Sequence, residues 1–197
     1  MTTGLLGGVF DPPHNGHLVL ADEAIRHFSL ERLVIVVTGI TTHKTVETDP
    51  EIRYRLAEAT FAGRPGVELS RHEVDLSGPS YTVDTARWAE ERWGDVVFVA
   101  GADEFASFLS WRDPNGVLER VRLGVATRPG YPRQRLAEVL AQLERPGRVE
   151  LFDIPALPIS SSGIRERVAL GEPIDDLVPP SVAELVSQLG LYRRTDV

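Results

Sequence analysis

The sequence contains no cysteine, which excludes disulfides, thiolate metal sites and a cysteine nucleophile. It contains no long apolar run: residues 33–37 (LVIVV) are flanked by Arg32 and Thr38, far short of the roughly 18 to 20 residues of a membrane span, so no membrane association is expected. Nor is there an excess of positive charge. Lys+Arg total 21 against 29 Asp+Glu, a net charge of -8, so the broad basic surface that grips a nucleic-acid backbone is missing and nucleic acid is not an expected partner. The N-terminus has no basic-then-apolar leader, and the expected location is cytoplasmic. Lysine is scarcer still: of the 21 basic residues, Lys44 alone is a lysine. One retained ammonium either marks a place where the guanidinium fork does not fit or has survived by chance.

What is present is an ordinary folded composition. With 197 residues, 42% hydrophobic and 25% charged, the chain can bury a core and fits one domain, residues 1–197. Short apolar, β-branched runs recur at residues 5–10, 33–38, 96–100, 123–127 and 149–154, with helical patterns between most of them. Continuous apolar strands belong to parallel sheets covered on both faces, so the expected class is α/β, an open parallel sheet with helices on both sides. Asp49-Pro50-Glu51, Pro114 and Pro179-Pro180 predict helix starts for 52–62, 116–121 and 181–189. Residues 67–76 (VELSRHEVDL) alternate apolar and polar, which predicts a half-buried strand. Residues 158–197, approximately, are mostly helical and predict a small C-terminal subdomain on the sheet edge.

The chemistry-bearing stretch is residues 7–17, GGVFDPPHNGH, which leaves the first strand and enters a helix expected over 18–28. In an open parallel sheet, ligands bind beyond the carboxyl ends of the strands, where this turn lies. It is neither GxGxxG nor a Walker loop, so a standard dinucleotide or P-loop cradle is not encoded. Gly7 and Gly8 let backbone approach a phosphate closely, and His14 and His17, three apart at a helix start, set two imidazoles beside unsatisfied N–H groups, a combination suited to an anion. Two other readings stand beside it: ordinary turn and cap residues, or a His-x-x-His metal pair that lacks further ligands nearby.

GGVFDPPHNGH, with its His-x-Gly-His, resembles the opening signature of the nucleotidyltransferase superfamily of adenylyl- and cytidylyltransferases. Residues 159–165, ISSSGIR, are similar to the ISSTxIR motif of adenylyl-transferring members. Residues 77–85 (SGPSYTVDT), Gly101-Ala102-Asp103 followed by Trp111, and Arg128-Pro129-Gly130-Tyr131 are similar, in this order and spacing, to the bacterial nicotinate-nucleotide adenylyltransferases, so the resemblance covers nearly the whole chain. It implies a Rossmann-like nucleotidyltransferase fold and transfer of AMP from ATP to nicotinate mononucleotide, giving deamido-NAD and pyrophosphate in NAD biosynthesis. The implied partners are ATP and nicotinate mononucleotide, with Mg2+ as a cofactor carried by the ATP phosphates rather than by a protein metal site. The oligomeric state is left open, a homo-oligomer included.

On the same resemblance, His14 and His17 donate to the α-phosphate oxygens, while Lys44 and Arg165 meet the triphosphate and the leaving pyrophosphate. Gly8, Val9, Phe10, Gly101, Asp103, Ile159, Ser160 and Ser161 bind ATP, Asp103 accepting from the sugar hydroxyls. Thr82, Trp111, Ser107 and Arg128 hold the nicotinate nucleotide, since a flat ring with a carboxylate asks for an aromatic face and neutral donors. Attack by a substrate phosphate oxygen needs no protein nucleophile, in keeping with the lack of cysteine. Each residue has a plainer alternative: Asp103 as an N-cap, Arg165 as a solvated helix arginine, Trp111 as core packing. The chain departs from the family at Thr41-Thr42-His43, where relatives commonly carry prolines, and at Ser162, which replaces the motif threonine. Two other functions stay open: adenylyl transfer to nicotinamide mononucleotide or another phosphate acceptor, and a non-catalytic nucleotide-binding sensor.

Overall fold

The computed structural model describes residues 1–42 and 45–193. Lys44 therefore lies outside the described residues. Six strands, β1 (Thr3–Gly8), β2 (Arg32–Val37), β3 (Val67–Ser70), β4 (Val96–Gly101), β5 (Arg122–Thr127) and β6 (Val149–Asp153), form one sheet in the order β3-β2-β1-β4-β5-β6. Every pairing is parallel. The α-helices among the described residues are α1 (Asn15–Phe28), α2 (Pro50–Phe61), α3 (Thr82–Trp93), α4 (Ala102–Phe105), α5 (Pro114–Arg120), α6 (Arg133–Leu140), α7 (Ser161–Ala169) and α8 (Pro180–Gln188).

The period-two alternation of strand side chains divides the core between the two faces of the sheet. Leu5, Val34, Val36, Phe98 and Val125 pack on one face with Ala86 and Ala89 of α3 and Val117 and Leu118 of α5. Leu6, Leu33, Ile35, Val37, Val97 and Val99 pack on the other with Ala21 and Ala24 of α1 and Ala57 and Phe61 of α2. Both faces are thus covered, which is why the strands read as unbroken apolar runs. At Gly124 of β5 a Cβ would lie 2.6 Å from the Phe28 ring, so the missing side chain lets the end of α1 sit against the sheet. The chain winds outward from β1 to β3, returns to β4 beside β1, and winds outward again to β6. The reversal between β1 and β4 opens a crevice beyond their carboxyl ends.

Several boundaries differ from the sequence expectation. Helix α1 begins at Asn15 rather than 18, because Nδ1 of His17 accepts a bond from the His14 N–H and closes an extra turn. The strand expected over 67–76 ends at Ser70. Past it, Arg71 pairs with both Glu51 and Asp75, the His72 ring stacks on Trp88 with centroids 4.1 Å apart, and Glu73 turns inward to Thr85. These contacts fold the backbone, with Asp75 N–H bonded to the Arg71 carbonyl, where a strand would extend. The proline-marked helices start one or two residues early: Asp49 accepts from Glu51 N–H at 2.8 Å and Asp113 from Gly116 N–H at 2.9 Å, so Pro50 and Pro114 lie inside α2 and α5.

Helices α7 and α8 pack against α2 through Leu56, Ile164, Ile174, Val178, Val182 and Val186. Gly171 and Gly190, at φ 75° and 62°, close them in the left-handed conformation. Among the described residues no helix is long and apolar enough to cross a membrane.

Candidate active site

Beyond β1 the chain makes a tight loop before α1. Phe10 in this loop has a φ of 54°, and its buried ring packs edge-on against His17 and Phe61, with centroids 5.0 and 5.9 Å away. Its side chain is committed to the core, so only its backbone is left for a nucleotide. Gly8 is small for the same reason: a Cβ there would meet the Phe10 ring at 3.0 Å.

His14 is the N-cap of α1 and His17 its third residue. The His14 N–H donates to Nδ1 of His17 at 3.1 Å, and the two rings lie 3.9 Å apart. Burial lowers the His14 pKa to about 4, and burial followed by the neighbouring His14 holds His17 well below 6.5. Both rings are neutral near pH 7. With Nδ1 accepting, neutral His17 keeps its proton on Nε2 and is a donor there. Nδ1 of His14 is buried without a hydrogen-bond partner among the described residues. The metal-pair reading finds no further ligands: among the described residues no three His, Cys, Asp or Glu side chains are grouped to hold a metal.

The start of α7 is laced to this loop. Ser160 caps the helix by accepting from Gly163 N–H at 3.1 Å, and Ser161 Oγ donates to the Pro12 carbonyl at 2.8 Å. Arg165, in the second turn of α7, donates through Nη1 to the Asp11 carbonyl at 2.6 Å. Ile159 packs against the α2, α7 and α8 cluster. The structure therefore brings His14, His17, Ser160, Ser161 and Arg165, separated by about 150 positions in sequence, to one loop at the crevice.

Beside them a cleft of about 320 Å³ opens between β1 and β4. Gly8, Val9, Thr82, Ser107 and Trp111 all line it. Thr82 is the first residue of α3, so the positive end of that helix dipole meets the cleft. Trp111 is half-buried, edge-on to Phe98 and Phe108 at 6.2 and 5.1 Å, so it both packs and lines. Ser107 Oγ is committed to the Glu104 carbonyl at 2.8 Å. Arg128 is not among the lining residues. It pairs with Asp103 at 3.4 Å in a neighbouring recess that includes Gly130, Tyr131 and Arg135. Gly101, at the end of β4, is the N-cap of α4, and Asp103 follows two residues into that short helix.

Four residues with marked roles in this geometry escaped the sequence reading. Arg53 is 1% exposed and donates to the carbonyls of Val9, Thr38, Gly39 and Thr48, clamping the ends of β1 and β2. Its i, i+3, i+4 spacing with Leu56 and Ala57 was the available signal that it faces inward. Buried Glu73 lines the cleft and accepts from Thr85 Oγ1 at 2.5 Å, with burial pushing its pKa up. Arg112 also lines the cleft, its guanidinium 4.4 Å from the centroid of the Tyr81 ring. Tyr192, near the end of the described chain, donates to Oδ1 of Asp11 at 2.7 Å. Nothing local in the sequence signals the last three.

The Cytidylyltransferase-like family profile matches residues 5–167. A probable nicotinate-nucleotide adenylyltransferase of Moorella thermoacetica is 41% identical over 96% of this chain and 91% of its own length. Another, of Rubrobacter xylanophilus, is 38% identical over 98% and 92%. Among solved structures, the Plasmodium falciparum nicotinic acid mononucleotide adenylyltransferase complexed with NaAD shares the fold, with a TM-score of 0.79 over 97% of each chain at 18% identity. The chain belongs to the cytidylyltransferase-like family and, within it, to the nicotinate-nucleotide adenylyltransferases.

Proposed function

We propose that the protein transfers AMP from MgATP to nicotinate mononucleotide in the cytoplasm, with residues 1–197 acting as one catalytic domain. The observation that carries this reading is the meeting of the neutral His14–His17 pair and Arg165 on one loop, next to a cleft bearing Thr82 and Trp111. A phosphate oxygen of the acceptor attacks the α-phosphorus of ATP, the bond to the bridging oxygen breaks, and pyrophosphate departs with the electron pair. The protein supplies position and charge stabilisation rather than a nucleophile. Nε2–H of His17, with the ring of His14 beside it, stabilises the α-phosphate oxygens as charge builds. Arg165, together with Lys44, meets the triphosphate and the leaving pyrophosphate, and Mg2+ enters bound to the phosphates. Gly8, Val9, Ser160 and Ser161 frame the nucleotide through backbone and helix-start N–H groups. Asp103 takes the sugar hydroxyls, and its pairing with Arg128 supports a role for Arg128 on the ATP side rather than at the pyridine end. Trp111 stacks on the pyridine ring and Thr82 donates to its carboxylate.

The test is incubation of the protein with ATP, Mg2+ and, separately, nicotinate mononucleotide, nicotinamide mononucleotide and phosphopantetheine, with the products identified by mass. Deamido-NAD and pyrophosphate in equal amounts is the expected result. A different dinucleotide, or ATP binding without turnover, overturns the reading.

A further inference from the structure

The last described residues return to the first loop. Tyr192, itself at a φ of 62°, reaches across 181 positions of sequence to donate its hydroxyl to Oδ1 of Asp11 at 2.7 Å. Asp11 is 7% exposed, so its carboxylate depends on protein partners. Among the described residues, Tyr192, Arg53 and Arg165 face it. Arg53 directs its donors to four backbone carbonyls. Arg165 gives Nη1 to the Asp11 carbonyl, but the same nitrogen stands 3.8 Å from Oδ2, too far for a hydrogen bond. The direct bond to the carboxylate thus comes from a neutral hydroxyl. Burial, then Asp11 itself, raises the Tyr192 pKa, which keeps that hydroxyl a donor.

We infer that Tyr192 is a positioning residue for Arg165: by satisfying the Asp11 carboxylate it prevents a close Asp11–Arg165 ion pair and leaves the guanidinium available to the phosphates of ATP. The inference rests on the nucleotide role of Arg165 proposed above. A fork-on-fork pair between arginine and carboxylate is among the stronger polar contacts in proteins, and a buried carboxylate that loses its neutral donor is drawn to a neighbouring cation, here Arg165 at 3.8 Å. Phosphate binding would then have to break that pair.

Tyr192→Phe keeps the ring and removes the hydroxyl, with its bond to Asp11 and its hydrogen bond with Thr48. Titration of the 197-residue chain with MgATP, without acceptor, should show affinity about 10-fold weaker for Tyr192→Phe, but changed less than about 2-fold when the same substitution is made in the Asp11→Asn background, where the Asp11 carboxylate no longer competes for Arg165. In turnover, the KM for ATP should rise and that for the acceptor stay fixed. Equal losses in both backgrounds, or a lowered Tm with unchanged ATP affinity, would overturn the inference and leave Tyr192 as packing. ATP binding by the unsubstituted protein is read in the same titration, so a failure of the nucleotide reading is seen separately from a failure of the coupling.

Discussion

The backbone N–H of His14 is bonded to Nδ1 of His17 at 3.1 Å, and this bond determines which nitrogen of His17 carries the proton. A histidine so fixed acts as a preorganised neutral donor and does not need to be charged to stabilise a developing phosphate anion. His17→Ala should lower kcat by about 100-fold or more, the scale for removing one such donor. Its ring also touches Phe10, so Tm should fall by a few degrees, on the order of 1 kcal/mol of packing. Steady-state kinetics and thermal unfolding separate the two effects, and near-normal turnover would rule out the assigned role.

Buried neutral histidines give the fold a specific acid sensitivity. The His14 pKa lies near 4 in the folded protein and near 6.5 when unfolded. The unfolded chain therefore binds protons first as pH falls, and stability is lost progressively from about pH 6.5 down to about pH 4. His17 adds to the loss in the same direction. Urea unfolding between pH 7.5 and 4.5 should show this decline, and His14→Gln should flatten part of it. An identical slope in His14→Gln would show that other groups are responsible.

Arg53 is expected to matter for stability, because it ties together the loops that floor the cleft. Four carbonyls at the ends of β1, β2 and the approach to α2 take bonds from it at 2.5 to 3.1 Å. Arg53→Met leaves these acceptors without a partner and should cost about 3 to 5 kcal/mol in chemical unfolding. Arg53→Lys should recover little, because an ammonium cannot span the same fork. A loss below about 1 kcal/mol would mean that the loops hold without the clamp.

The α/β class was legible because strands buried on both faces have to be continuously apolar, as at 33–37, and because proline and aspartate mark helix starts locally. Motif strings near His14 and Arg165 singled out residues that the fold brings together through Ser161 and Asp11. What the sequence hid is long-range. Tyr192 meets Asp11 across most of the chain, and Glu73 turns inward where alternation promised a strand, because Thr85 offers its carboxylate a partner. Arg128 was read with the pyridine end, yet its charge is paired with Asp103 outside that cleft. Spacing along the chain cannot rank such partners.

Selectivity for the acid should come from the cleft wall. Among the described residues lining it, Arg112 is the one cation, set against Glu73 and Glu104. Arg112→Gln and Thr82→Val should each lower kcat/KM for nicotinate mononucleotide and leave the amide nearly unchanged, since each removes a donor suited to a carboxylate. Trp111→Ala should impair both substrates alike, because stacking does not read the carboxylate. Equal losses for acid and amide in Arg112→Gln would place that guanidinium elsewhere on the nucleotide.

The most direct measurement is kcat/KM of the unsubstituted protein for nicotinate mononucleotide and nicotinamide mononucleotide, side by side with saturating MgATP. Hydrogen bonds to a charged group contribute about 1.5 to 3 kcal/mol each, so one or two of them should favour the acid by roughly 10- to 1000-fold. Comparable values for acid and amide, or turnover of neither, would contradict it.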